Sequence, residues 1–121
     1  YANAGHPPLY LLRTDLHEVQ HLYSQSTFLG VFKDSEFTST PLQLAPGDKL
    51  LWYTDGLYEC TNAADEPLGL EQLSRIVADC ANDTNASWIH RIRQHVADYS
   101  GEKPVEDDIS LLSLEISKPM A

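Results

Sequence analysis

The sequence predicts an α+β fold, in which several strands are followed by two helices and a final strand. Two observations lead to this prediction. The first half of the chain contains short apolar runs separated by Pro, Gly and Asp turns. In the second half, apolar residues recur at helical spacing before one last apolar run. Elements in this order favour helices packed on one face of a mainly antiparallel sheet.

The strands of the first half are predicted from their apolar runs. Residues 9–13 and 18–23 flank a polar turn at Thr14 and form a predicted hairpin. Residues 49–54 are apolar on both faces, since Leu50 and Trp52 alternate with two further apolar side chains; this pattern is typical of a central strand covered on both sides. The full set of predicted strands in this half is 1–4, 9–13, 18–23, 37–44 and 49–54.

Two helices and a last strand are predicted for the second half. Apolar residues at helical spacing run from position 70 to 80, and Gly69 precedes them as a candidate cap. A second apolar stripe runs from 89 to 99, with Thr84 or Asn85 as the candidate cap and Gly101 as the stop. Residues 109–116 are the predicted final strand.

Composition limits the possible functions. The 121 residues carry 18 Asp and Glu against 8 Lys and Arg, and the resulting net charge of −10 argues against a nucleic-acid partner. Cys60 and Cys80 are too few for a disulfide framework or a cysteine zinc site, so we expect reduced thiols in a cytoplasmic protein. The chain starts at Tyr1 with strand-like sequence, and we expect it to be part of a longer protein.

Carboxylates follow or precede two predicted strands. Asp55 comes directly after the central strand, while Asp107 and Asp108 precede the last one. Oxygen ligands held at strand ends suit hard divalent cations such as Mg²⁺ and Mn²⁺. Neighbouring strand side chains point to opposite faces, so only one of Asp107 and Asp108 should face a shared site. An Asp-Gly pair is also a common turn signal, and that simpler interpretation of Asp55 stays open.

Other catalytic residue types give weaker signals. His6 lies between a glycine and two prolines, and its favoured interpretation is a turn residue bonded to the backbone. No nucleophile elbow, phosphate-binding loop or dinucleotide fingerprint is present. Arg91 and Arg93 are assigned to the solvated face of a helix. We therefore predict no catalytic side chain beyond the metal ligands and leave the substrate-binding residues open.

Six short motifs together resemble a known family. They occur in order as YANAGHPP at 1–8, LG at 29–30, LxPGD at 44–48, YTDGxxE at 53–59, LGL at 68–70 and DDISLL at 107–112. In this order and spacing they resemble the bacterial metal-dependent protein phosphatases of the stage II sporulation protein E type. This group is a branch of the protein phosphatase 2C-like (PPM) superfamily.

The resemblance implies a PPM-type β-sandwich flanked by helices, with two Mn²⁺ or Mg²⁺ ions at one end. Carried over from the family motifs, Asp55 and Asp107 are metal ligands. A metal-activated water would attack the phosphorus of a phosphoserine or phosphothreonine, with no covalent intermediate. The implied substrate is a phosphorylated protein of a partner-switching pathway, such as an anti-sigma-factor antagonist.

The chain also departs from the family pattern. Ser110 replaces the usual Thr, and Tyr58 stands where the family often has Thr. The family's front part, with an Asp that bridges both metals, would lie before Tyr1. We therefore expect residues 1–117 to be the C-terminal portion of a phosphatase domain, incomplete at its N-terminal side, and 118–121 to be a tail.

Several expectations follow from a partial domain. The portion alone should be inactive and bind metal weakly. Through its open sheet edge and exposed apolar core surface it should pair with a copy of itself as a homodimer, swap elements or aggregate. In the parent protein, an upstream sensor or receiver domain is expected. The alternative hypothesis is a catalytically inactive phosphatase-like module that serves in protein interaction or signal relay.

Overall fold

The structure is a computed structural model that describes residues 1–23 and 26–120. These described ranges contain four strands and three helices. In chain order these are β1 (Leu9–Arg13), β2 (Glu18–Leu22), β3 (Lys49–Tyr53), α1 (Gly56–Glu59), α2 (Gly69–Asp79), α3 (Asn85–Ser100) and β4 (Leu111–Glu115). No helix within the described ranges has both the length and the apolar character needed to cross a membrane.

The four strands form one antiparallel sheet in the order β2-β1-β3-β4. β1 and β2 form the predicted hairpin, in which Leu9 lies opposite Leu22. β3 is bonded to β1 on one side and to β4 on the other, with Tyr53 opposite Leu111. The predictions of an α+β fold and of a central strand at residues 49–54 are therefore confirmed.

The helices cover one face of this sheet and form the larger core. Tyr10, Leu51 and Tyr53 point from the sheet into this core and are almost fully buried. Trp88 of α3 is also fully buried, and its indole N–H donates to the carbonyl oxygen of Val77 at 3.2 Å. Because the indole nitrogen has a partner, burial of the large ring leaves no unsatisfied donor.

A buried lysine joins the start of β3 to the region where α2 ends. Lys49 is 3% exposed, and its ammonium group donates to the carbonyl oxygens of Ala81 (3.1 Å) and Asp83. The same nitrogen lies 5.5 Å from the centre of the Trp88 ring. A cation is favourable beside carbonyl groups at a helix C-terminus, and the ring face adds to this attraction.

The bounds of α3 agree with its predicted caps, whereas Gly69, predicted to precede α2 as a cap, is the first residue of α2 and Leu68 is the N-cap. Thr84 precedes α3, and its hydroxyl accepts a hydrogen bond from the backbone N–H of Ser87. Gly101 follows α3 with φ +60°, a conformation that glycine adopts without strain. The short helix α1 was not predicted, since four residues are too few to show a helical apolar pattern.

Two of the predicted strands are wrong. Residues 1–4 form no strand, and their assigned β-bridge is an isolated parallel one between Ala4 and Ser26. Residues 37–44 form no strand either, although Leu42 and Leu44 pack against the outer face of the sheet. Tyr1 and Thr40 exchange two backbone hydrogen bonds, at 2.6 and 2.7 Å. Among the described residues this pairing does not extend into the continuous ladder that a strand needs.

The face of the sheet away from the helices is only partly covered. Leu11 and Leu50 are buried there, but Leu112 and Leu114 of β4 remain 64% and 46% exposed. Because opposite residues in an antiparallel pair share a face, Leu114 extends the same apolar surface as Leu50. We call the surface formed by Leu50, Trp52, Leu112 and Leu114 the outer apolar face.

We predict that the 121-residue chain, studied alone, self-associates through the outer apolar face. Leu112→Asp should shift sedimentation toward the monomer, since a buried charge would be costly at such an interface. Leu16→Asp is the matched control, because Leu16 is equally exposed but lies in the β1–β2 turn. A wild-type chain that remains monomeric at high concentration would contradict this prediction.

Candidate metal centre

The end of β3 and the start of β4 lie side by side at one edge of the sheet. The ladder between these strands ends at Tyr53 and Leu111. One residue beyond it, the backbone N–H of Thr54 donates to the carbonyl oxygen of Ser110 at 3.1 Å. The antiparallel pairing therefore continues past the ladder toward the two acidic segments that the sequence analysis singled out.

The Thr54 hydroxyl holds the acidic segment before β4 in place. Its Oγ1 donates to the carbonyl oxygen of Asp108 at 3.1 Å and accepts from the backbone N–H of Ser110 at 2.9 Å. One side chain thus bonds to the backbone on both sides of Ile109. This role of Thr54 was not predicted, although Thr54 belongs to the YTDGxxE motif and a hydroxyl side chain that can bond to the backbone at a strand end is a usable signal.

Gly56 allows the two segments to approach closely. A Cβ atom at this position would lie 2.7 Å from the carbonyl oxygen of Asp108 and 3.4 Å from that of Asp107. Both are backbone atoms, so they cannot rotate away as a side chain could. The backbone of α1 therefore packs directly on the Asp107–Asp108 backbone, and this contact requires a residue without a side chain.

Each candidate ligand uses one carboxylate oxygen to fix its own orientation. Asp55 is the N-cap of α1, and its Oδ1 accepts from the backbone N–H of Gly56 at 3.0 Å. Asp107 Oδ1 accepts from the backbone N–H of Asp108 at 2.8 Å. Both residues are exposed, and within the described ranges the second oxygen of each has no protein partner. Orientation by one oxygen with the other free is typical of carboxylates that bind metal ions.

Asp108 differs from Asp107 because its hydrogen bonds are made by its backbone groups and not by its carboxylate. Its carbonyl oxygen accepts from Thr54, and its backbone N–H donates to Asp107, while its carboxylate has no hydrogen bond to any described residue. The carboxylate of Asp107 is therefore better oriented than that of Asp108. This difference favours Asp107, which stays a prediction.

Asp55 and Asp107 alone do not complete a metal site. Across residues 1–23 and 26–120, no group of three or more His, Cys, Asp and Glu side chains is arranged to hold a metal ion. The donor set present, two oriented carboxylates with free oxygens, nevertheless fits a hard cation such as Mg²⁺ or Mn²⁺.

His6 lies next to the ring of Tyr53, whose centre is 6.3 Å from that of the imidazole. Its Nδ1 lies 2.8 Å from the carbonyl oxygen of Pro7 and must donate, because a carbonyl oxygen only accepts. The Asn3 side chain bonds to both the N–H and the carbonyl oxygen of His6. These contacts agree with the interpretation of His6 as a turn residue bonded to the backbone.

Aromatic rings support the end of β3 from the helix side. Tyr53 stacks on Tyr10 with ring centres 5.2 Å apart, and its hydroxyl donates to the carbonyl oxygen of Pro8 at 2.6 Å. Burial raises the pKa of both phenols above the ordinary value, which is already well above physiological pH, so both are neutral. Tyr58 packs edge-on against Tyr53, and its pKa is raised by burial and by the nearby charges of Glu59 and Asp55.

Two further titratable side chains, those of His21 and Cys80, are not part of the candidate site. His21 contacts Tyr10 and lies 2.8 Å from the Ser74 hydroxyl, away from the acidic segments. Cys60 and Cys80 are both free thiols, as expected. Burial raises the pKa of Cys80, which leaves its thiol protonated and unreactive.

A cavity of about 460 Å³ opens beside the acidic segments. It lies between α1, the last turns of α3 and the loop 101–109 that leads to β4. Gly56 and Asp107 are part of its wall.

Arg93 also lines this cavity, so the assignment of Arg93 to a merely solvated helix face was incomplete. Arg91, by contrast, pairs with Asp83 at 2.9 Å on the helix surface.

Comparisons with known proteins agree on one family. The sequence profile described as Stage II sporulation protein E (SpoIIE) matches residues 1–117. Over 62 residues the chain is 44% identical to the phosphoserine phosphatase RsbP of Bacillus subtilis, covering 50% of this chain and 15% of RsbP.

Two solved structures show the same fold. The SiaA-PP2C domain of Pseudomonas aeruginosa superposes with a TM-score of 0.74 at 25% identity, over 91% of this chain and 43% of that one. The RsbU and RsbW domains of a Mycobacterium tuberculosis protein give a TM-score of 0.72 at 26% identity, over 100% of this chain and 33% of that one. The chain therefore spans less than half of each of these relatives.

Proposed function

Because the chain belongs to the stage II sporulation protein E family, we propose that it forms part of a metal-dependent serine/threonine protein phosphatase. The observation that carries this proposal is the packing of Gly56 against the Asp107–Asp108 backbone, which brings the Asp55 segment beside the Asp107 segment. Likeness to a phosphoserine phosphatase and to a PP2C domain supports the same activity.

In this proposal Asp55 and Asp107 hold Mn²⁺ or Mg²⁺ through the oxygens that the protein leaves free. When bound, such ions stabilise negative charge on the phosphoryl oxygens and activate the attacking water. Thr54 acts as a positioning residue, since its hydroxyl fixes the backbone that carries Asp107. In this proposal the further protein ligands of a two-metal site come from outside the described residues, among which no group of three or more candidate ligand side chains is arranged to hold a metal ion.

The proposed substrate is a phosphorylated protein, with an anti-sigma-factor antagonist as the specific candidate. The acidic net charge of −10 disfavours nucleic acid, and in this proposal the bound cations supply the main attraction for a phosphoryl group. We also propose that residues 1–117 are the C-terminal portion of the phosphatase domain and that 118–121 form a tail, of which residue 121 lies outside the described ranges.

The test is hydrolysis of p-nitrophenyl phosphate and of a phosphoserine peptide by the complete parent domain. We expect turnover with Mn²⁺ or Mg²⁺ and none after chelation with EDTA. The isolated 121-residue chain serves as the comparison and should be inactive. A correctly folded parent domain that binds the phosphorylated protein but shows no metal-dependent turnover would favour the alternative, an inactive interaction or relay module.

A further inference from the structure

We propose that the cavity beside Asp107 is a specificity subsite, which receives an apolar side chain close in sequence to the phosphorylated residue of the substrate. This inference rests on the proposed phosphatase function and goes beyond it, since it names a feature of the substrate. The cavity of about 460 Å³ falls within the range of known ligand sites and exceeds the volume of one leucine side chain.

The cavity is continuous with the candidate metal centre. Its wall includes Gly56, which follows Asp55, and Asp107 itself. A phosphoryl group held at these carboxylates is attached to a peptide chain that must leave the site along the protein surface. A peptide that leaves the site on the side of this wall carries the residues next to the phosphorylated one over the cavity opening.

The lining of the cavity suits an apolar side chain. Val96 and Ala97 of α3 form one wall, and Val105 and Ile109 of the loop 101–109 form another. Val105 is 71% exposed, so its side chain stands in water beside the opening. Covering such a surface with an apolar group from the substrate is favourable, because apolar area is removed from water on both partners.

The charges around the cavity fit a phosphorylated partner. Lys103 is already bonded to Asp65 and to the hydroxyl of Thr61. Arg93 has no carboxylate partner among the described residues, and its guanidinium group is available to an anion. In a chain with a net charge of −10, an unpaired guanidinium next to the candidate site favours approach of a phosphoryl dianion.

The cavity wall also carries two carboxylates, those of Glu59 and Glu106. Because charges of both signs line the cavity, the apolar walls and not charge should select the side chain next to the phosphorylated residue.

The test uses the complete parent domain with Mn²⁺ and a set of phosphoserine peptides in a Gly/Ser background. Each peptide carries one leucine, placed in turn at the positions on either side of the phosphoserine. The quantity measured is the ratio of kcat/KM between each leucine peptide and the peptide with serine at that position. We expect a preference of roughly tenfold or more at one position, since one apolar side chain in a fitting pocket gives discrimination of this size.

Two matched variants test whether the preference for a leucine peptide arises from the cavity. Ala97 and Ala86 are both exposed alanines of α3, but only Ala97 lines the cavity. Ala97→Leu partly fills the cavity and should bring the ratio close to one. Ala86→Leu should leave the ratio unchanged. The ratio is insensitive to a general loss of activity, because both peptides are measured on the same variant.

Each outcome separates the subsite from the proposed function. Equal kcat/KM for all peptides, or an unchanged ratio in Ala97→Leu, overturns the subsite. Turnover of p-nitrophenyl phosphate, which has no flanking residues, would in that case still support the phosphatase function. If neither p-nitrophenyl phosphate nor any peptide is hydrolysed by the folded parent domain, the function and the subsite are both overturned.

Discussion

Asp55→Asn in the complete parent domain is expected to lower Mn²⁺-dependent turnover at least about a hundredfold, because metal-ion stabilisation of the transition state contributes several kcal/mol. Asparagine keeps the oxygen that accepts from the Gly56 N–H, so the start of α1 should remain capped. Loss of one negative charge also relieves repulsion among the neighbouring carboxylates in the metal-free protein. The fold should therefore be unchanged or slightly more stable.

The measurements are kcat/KM at increasing Mn²⁺, Mn²⁺ affinity by calorimetry, and thermal unfolding in EDTA. Asp15→Asn is the control, since Asp15 is an exposed carboxylate in the β1–β2 turn. Asp15→Asn should leave kcat/KM, the Mn²⁺ affinity and the unfolding temperature unchanged. Near-normal turnover of Asp55→Asn at saturating Mn²⁺ would show that Asp55 serves only as a helix cap.

Gly56→Ala is the second substitution with a large expected effect. The added methyl group would lie 2.7 Å from the Asp108 carbonyl oxygen, which is too close for any contact of this kind. The backbone that carries Asp107 must then move. We expect a loss of stability of about 1–3 kcal/mol from overpacking. Turnover should fall roughly tenfold to a hundredfold, because catalysis is sensitive to small displacements.

Gly69→Ala provides the matched control for this prediction. Gly69 also begins a helix, but no atom lies within 4 Å of the position of an added Cβ. Its φ of +76° means that alanine would strain the backbone, so stability should fall in this variant too. When turnover is measured well below the unfolding temperatures of both variants, only Gly56→Ala should lower it. Equal turnover in the two variants would contradict a role for the Gly56 contact in placing Asp107.

The parts of the fold with a strong local signal were predictable from sequence. The bounds of α3 follow from Thr84 and Gly101, which act through local hydrogen bonds and backbone conformation. The central position of β3 follows from its apolar side chains on both faces. The strand-end positions of Asp55 and Asp107 were also visible, although their shared ion stays a prediction.

The features that depend on distant partners were not predictable in the same way. Residues 37–44 have a strand-like composition, yet among the described residues their backbone pairing with Tyr1 is confined to Thr40 and does not extend into a ladder. The role of Thr54 depends on a segment more than fifty residues away in the chain. The cavity that includes Arg93 arises only when α3 and the loop 101–109 lie against α1. Such features are set by tertiary packing, which the periodicity of one segment does not record.

The two candidate ligands are carried by strands with different surroundings. β3, which leads to Asp55, is bonded on both sides and anchored at its start by Lys49. β4, which follows Asp107, has a described neighbour on one side only. Amide hydrogens of β4 should therefore exchange with solvent faster than those of β3, because an outer strand can detach while the rest stays folded. An ion bound to both carboxylates would hold the outer strand against β3. A higher ion concentration would therefore lower the fraction of time for which β4 is detached.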